Sequence, residues 1–178
     1  MKKLLSILVL LTSSITFAEV SYSMPALEAG FKWNSMDSEP SSSSKQSLAW
    51  QLGGSTVFNF NEQMGLRTGL FYSERTFKFD LVDGKITYAD IPLHFMFKFE
   101  DYAGVYLGPS LSMKIGDEVS TGSLTDVKSM ITPITVGAQF KFMPNFGLNL
   151  FFETIPSDLA QGLKNSRGIG ANLLFAFD

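Results

Sequence analysis

Nine ionisable residues stand at alternate positions within otherwise apolar stretches: Glu28, Lys32, Arg67, Asp90, His94, Lys98, Lys114, Lys141 and Glu153. Such a set admits three chemistries. Buried carboxylates and cations can neutralise one another, because a charge taken out of water must be paired. The same side chains strung along a pore could pass ions. A histidine with a serine and an acid could activate a hydroxyl against an ester. Metal chemistry has little to work with: His94 is the only histidine and cysteine is absent, so a multi-histidine or thiolate site is excluded. Asp90 and His94 share a strand face but lie about 13 Å apart at ~3.3 Å per residue, too far for a direct hydrogen bond. Tyr106, on the next strand, is the better neighbour for His94. A lipid-cleaving or acyl-transferring triad needs its histidine at the lipid boundary, whereas His94 is expected to face inward. The chain is therefore read as no enzyme, with no cofactor and no metal.

These residues must be positioned by strands, since the hydrophobic period is two throughout. Leu27 to Trp33 alternates with Glu28 to Asn34. Seven further runs follow: Leu48–Phe58, Met64–Tyr72, Ala89–Phe99, Ala103–Met113, Met130–Phe142, Phe146–Phe152 and Ile169–Phe177. Several reach about ten residues, the length of a tilted membrane strand. Short turns are expected at Asn59–Gln63, Glu100–Tyr102 and Met143–Asn145. Long polar links are expected at 35–47, 73–85, 116–128 and 156–167. Phe142 should face Phe146 across the turn, putting Gln139 opposite Asn149 and Gly137 opposite Phe151. Pro92 and Pro109 each imply a bulge or a gap in the ladder. Ser41 to Ser44 reads as a flexible polar tip.

The pattern predicts an all-β fold, an eight-stranded antiparallel up-and-down barrel. Its apolar side is read as facing lipid. Ten glycines, Gly30 and Gly137 among them, fall on the polar side, where a crowded interior explains them. Aromatic residues collect at the strand ends as two interfacial girdles. Trp33, Trp50 and Tyr72 lie beside the long links. Phe58, Phe97, Phe99, Phe140, Phe142, Phe146, Phe175 and Phe177 lie beside the short turns or the C-terminus. A soluble barrel with its apolar side inward is the competing arrangement. Eight strands leave an interior that side chains can just fill, so the nine ionisable residues are read as a lumen polar network. A narrow path for ions or small solutes is the alternative.

The N-terminus stands apart. Lys2 and Lys3 precede an apolar run from Leu4 to Leu11, and Thr16-Phe17-Ala18 offers small residues for a cut. Residues 1–18 are expected to be a cleaved signal peptide and 19–178 the barrel. Losing both lysines takes the net charge from −3 to −5, which does not suit nucleic acid. With no cysteine, stability must come from packing and backbone pairing.

Ile86-Thr87-Tyr88-Ala89-Asp90-Ile91-Pro92-Leu93, followed by Phe97-Lys98-Phe99, resembles a characteristic strand of small bacterial outer-membrane β-barrel proteins, a porin-family group similar to OmpA/OmpX-type barrels. Val105-Tyr106-Leu107-Gly108-Pro109-Ser110-Leu111 resembles the strand that follows it. The resemblance implies a bacterial outer-membrane location, with outer-membrane lipids, lipopolysaccharide and the assembly machinery as partners. It also implies short periplasmic turns and four outer loops, 35–47, 73–85, 116–128 and 156–167, open to a surface ligand. Members of this group end on an aromatic residue, whereas here Asp178 follows Phe177. A structural or surface-interaction role follows as the expectation, with the narrow channel and a lipid-modifying enzyme behind it.

Overall fold

The computed structural model describes residues 21–38, 42–79, 82–100, 102–122 and 124–177. The expected signal peptide and Asp178 lie outside the described residues. Eight strands account for the wall. They are β1 (Ser21–Ser38), β2 (Ser47–Asn59), β3 (Met64–Lys78), β4 (Asp83–Pro92 continued by His94–Glu100), β5 (Ala103–Val119), β6 (Met130–Ile131 continued by Ile134–Lys141), β7 (Phe146–Ile155) and β8 (Leu163–Ala176). Each strand pairs antiparallel with its neighbour, and β8 returns to pair with β1, so the sheet closes. Closure leaves no membrane-level edge, the condition for spanning lipid with strands.

The alternation places each side chain. Gln139 faces Asn149 and Gly137 faces Phe151, the register expected from the Met143–Asn145 turn. Along β1, Glu28, Lys32 and Asn34 are buried while Leu27, Phe31 and Trp33 are exposed. Large apolar side chains cover the outside of all eight strands, including Leu52, Leu70, Phe95, Leu107, Val136, Leu150 and Leu173. Polar groups are inside and oil is outside, the arrangement of a wall in lipid.

Proline gives the expected gap in the ladder at Pro92 and a bulge at neither position. Pro92 breaks β4 for one residue at Leu93, but the register with β3 and β5 is the same on both sides, so there is no bulge. The Leu93 N–H still bonds the Pro109 carbonyl at 2.9 Å. β5 runs unbroken through Pro109, and its irregularity lies instead between the pairs made by Thr87 and Tyr88.

The long links 35–47 and 73–85 are largely strand, and 116–128 and 156–167 are strand in part. β1 continues to Ser38, β3 to Lys78 and β5 to Val119, while β4 starts at Asp83 and β8 at Leu163. Ser42–Ser43 folds back onto Asp37 and Ser38, and Ser44 exchanges hydrogen bonds with Met36, so this part of the serine run is ordered rather than a loose tip. The reason is an inversion of the face code. Above the aromatic band the wall meets water, so Thr76, Lys78 and Lys85 point out. Met36, Phe77, Ile86, Tyr88, Ile131, Ile155, Leu159, Ala160 and Leu163 fill the inside as an apolar cap. A reading that seeks polar interiors sees only loop there.

Candidate functional site

The lumen holds two compact charge groups. In the first, Glu28 on β1 receives Arg67 Nη2 and Ser55 Oγ on one oxygen. Its other oxygen accepts Asn149 Nδ2 at 2.8 Å and Asn172 Nδ2 at 3.3 Å. Arg67 lies over the Tyr106 ring, 4.8 Å from its centre, and 5.6 Å from that of Phe71. Tyr106 Oη donates to Asn149 Oδ1 at 2.7 Å. In the second group, Arg75 on β3 bonds Asp90 at 3.0 and 3.3 Å and Glu153 at 3.0 Å. Lys32 donates to Glu153 at 3.2 Å and to Ser73 Oγ at 2.7 Å. Arg75 also stacks over Tyr88, 4.9 Å from the ring centre, which joins the ions to the apolar cap.

One cation faces one anion in the first group, and two face two in the second. All six side chains are buried. Burying a charge costs several kcal/mol, offset only by close opposite charges and full hydrogen bonding. Both groups meet the first condition and most of the second, with Arg67 Nε and Arg75 Nε left without a protein partner. Beside them lies a cavity of about 20 Å³ lined by Arg67, Asp90, His94, Ser110 and Glu153 among others. That volume suits a single water.

His94 is buried between the groups. Its ring stacks on Tyr106 with centres 5.0 Å apart and planes 4° apart. Arg67 Nη1 lies 3.4 Å from Nδ1, and Nε2 lies 3.1 Å from Ser110 Oγ. A guanidinium only donates, so Nδ1 accepts and the ring proton sits on Nε2, donating to Ser110. A base that activates a serine needs the reverse, a bare nitrogen facing the hydroxyl.

Of the nine residues expected in the lumen network, Glu28, Lys32, Arg67, Asp90, His94 and Glu153 come together there. Lys98, Lys114 and Lys141 do not. Lys114 pairs with Asp117 at 2.8 Å at the long-loop end. Lys98 and Lys141 line the mouth at the short-turn end. The inward period is respected at all three, but height along the strand separates them from the central groups. Arg75 was missed, although it is the most heavily bonded cation inside. The sequence expectation placed it in a link, and only the continued alternation Phe71, Ser73, Arg75, Phe77 signals its strand. Asn149 and Asn172, both on the polar side, were missed too.

The girdle residues form bands outside the wall. At the short-turn end Phe146 meets Phe175, with ring centres 5.1 Å apart; Phe175 meets Phe177 and Phe97 meets Phe99, each at 5.3 Å. Phe99, Phe140 and Phe142 are exposed beside them, while Phe58 and Phe97 are half-buried. At the other end Trp33, Trp50 and Tyr72 are exposed, and Phe31, missed by the sequence reading, packs on Trp50 at 4.2 Å. Tyr72 Oη donates to Glu74, which also pairs with Lys85 at 3.4 Å. The rim acids Asp83, Asp117 and Glu118 each pair with a nearby lysine. No group of metal-ligating side chains occurs among the described residues.

A closed eight-stranded wall, apolar outside and charge-compensated inside, defines a transmembrane β-barrel, and the chain has the fold of the small outer-membrane barrels. No protein-family model matches it, and no curated protein matches it. Among solved structures it is similar to Neisserial surface protein A, at 16% identity over 88% of this chain and 99% of that one, with a TM-score of 0.61. It is similar also to Ail, the attachment invasion locus protein of Yersinia pestis, at 19% identity over 86% and 99%, with a TM-score of 0.53. At these identities the likeness is one of fold.

Proposed function

We propose that the protein is an outer-membrane barrel with a structural or surface-interaction role, whose lumen is closed to solutes. The observation that carries the reading is the filled interior: six buried charges in two neutral groups, with a cavity of about 20 Å³ beside them. An ion would have to displace these pairs to pass. The exposed apolar wall and its two aromatic bands support a seat in lipid. The short turns then face the periplasm, and the long-loop end faces outward with its mixed charges available to lipopolysaccharide or a surface ligand. The proton on His94 Nε2 supports a non-enzymatic reading.

Two measurements test this. The barrel should run at a shifted position on a gel until boiled, in the outer-membrane fraction. In planar bilayers it should stay electrically silent at high protein load. Reproducible single-channel steps would replace the closed-lumen reading with that of a narrow channel. A soluble periplasmic band without a shift would remove the membrane barrel altogether.

A further inference from the structure

The short-turn mouth carries a second, separate arrangement of charge. Lys98 on β4 and Lys141 on β6 face inward there, with Gly104 of β5 between them: Lys98 pairs with Gly104, Gly104 with Gln139, and Lys141 follows two residues on. Having no side chain, Gly104 lets the end of Met96 pack against its backbone, where a Cβ would come within 2.7 Å of it. Both lysines line one cavity of about 80 Å³ with Gln139 and Tyr102, floored by Val57 and Met96. The backbone is tied down at both positions, since the Lys98 N–H bonds the Gln63 carbonyl and the Lys141 N–H bonds the Tyr102 carbonyl, each at 2.6 Å.

Every charge deeper in the lumen has its counter-charge. These two ammoniums have none among the described residues. Glu100 borders the same cavity. Two like charges bordering one cavity repel one another. A single anion between them would turn that repulsion into attraction. A cavity of this size has room for several waters or for one tetrahedral oxyanion.

We propose that the short-turn mouth is a binding site for one phosphate-sized oxyanion, held by Lys98 and Lys141 with Gln139 as a neutral donor. The phosphate can be free or can belong to a lipid headgroup of the adjacent leaflet. This site stands independently of the closed-lumen reading.

The test uses the folded barrel in non-ionic micelles, titrated with inorganic phosphate at constant ionic strength while the lysine side-chain NMR signals are followed. The signals of Lys98 and Lys141 should move together on one saturable curve, while Lys78 and Lys85 stay still. Lys98→Gln and Lys141→Gln should each weaken binding about tenfold or more, and Lys141→Arg should keep it. No saturable shift in the wild-type barrel, or equal shifts at all lysines, overturns the proposal. The wild-type readout does not depend on any variant folding. Adding phosphatidylglycerol to the micelles separates the sources. If the lipid moves the same two signals and pushes the phosphate curve to higher concentration, the headgroup is the ligand. An unmoved curve assigns the site to the free ion.

Discussion

Arg75 and Glu153, seventy-eight positions apart in the chain, meet at 3.0 Å inside the barrel. Their contact links β3 to β7 across the lumen, strands that are not neighbours in the wall. Glu153 also holds Lys32, so one carboxylate on β7 compensates cations from two other strands. Removing it leaves two buried cations with Asp90 alone. We expect Glu153→Ala to lower the free energy of unfolding by about 3–5 kcal/mol, as for other broken buried pairs. Urea unfolding in micelles, followed by the gel shift, measures it. A loss under 1 kcal/mol would mean that the lumen charges are solvated rather than paired.

Arg67→Ala removes the only cation bonded to Glu28 among the described residues and should cost a similar amount. Conductance should stay at zero in this variant, because Asn149, Asn172 and Ser55 still fill the level around Glu28. A variant that folds and conducts would show that the pair itself is the barrier.

Packing can be tested at Gly170. A Cβ there would come within 2.3 Å of the Phe151 ring. Gly170→Ala should destabilise by about 1–3 kcal/mol through overpacking. Combined with Phe151→Leu, part of the loss should return, and a double-mutant cycle reads the coupling. Strict additivity of the two effects would count against their contact.

The bilayer position of the wall can be read from one strand. Leu107 and Ile115, both on β5, are 57% and 58% exposed in the isolated chain. Leu107 pairs with Phe95 and Val136 within the apolar belt, whereas Ile115 sits at the register shift beside Thr87 and Tyr88, towards the long-loop end. Leu107→Arg should cost about 2–4 kcal/mol and Ile115→Arg about 0–1, as depth in the bilayer dictates. Equal, small costs at both positions would mean that water, not lipid, surrounds the wall.

The apolar cap should open locally. Leu159 is fully buried in it; its N–H bonds the Leu163 carbonyl and its carbonyl receives the Lys128 N–H. Leu159→Ala should speed amide hydrogen exchange in 124–128 and 156–162 while leaving exchange in the membrane-level strands unchanged. Uniform acceleration along the whole chain would show that cap and wall unfold as one unit.

The wall was legible in the sequence because one physical rule, period two with oil outward, governs each strand from Leu27 to Phe177. The turn at Met143–Asn145 even fixed a register, since its length sets which residues oppose. The rule stopped being readable where the solvent outside changes. At Phe77, Ile86 and Ile155 the inward side becomes apolar, and the same alternation then looks like irregular linker. Arg75 was lost for that reason. Lys98, Lys114 and Lys141 show a different limit. Parity tells which way a side chain points, but only the heights of all eight strands tell which charges can touch. The Glu28 group draws on β1, β2, β3, β7 and β8, and no local pattern shows such a meeting.

The pairing of β8 with β1 also dictates an order of events. Glu28 lies on the first strand made, and one of its hydrogen-bond donors, Asn172, sits on the last, 144 residues later. The seam between these strands cannot zip, nor the first charge group complete its bonds, until β8 has been synthesised and delivered. Until then both strands present open edges and a carboxylate without all its donors. Closing the seam and completing the Glu28 group are therefore one and the same step, the last in making the barrel.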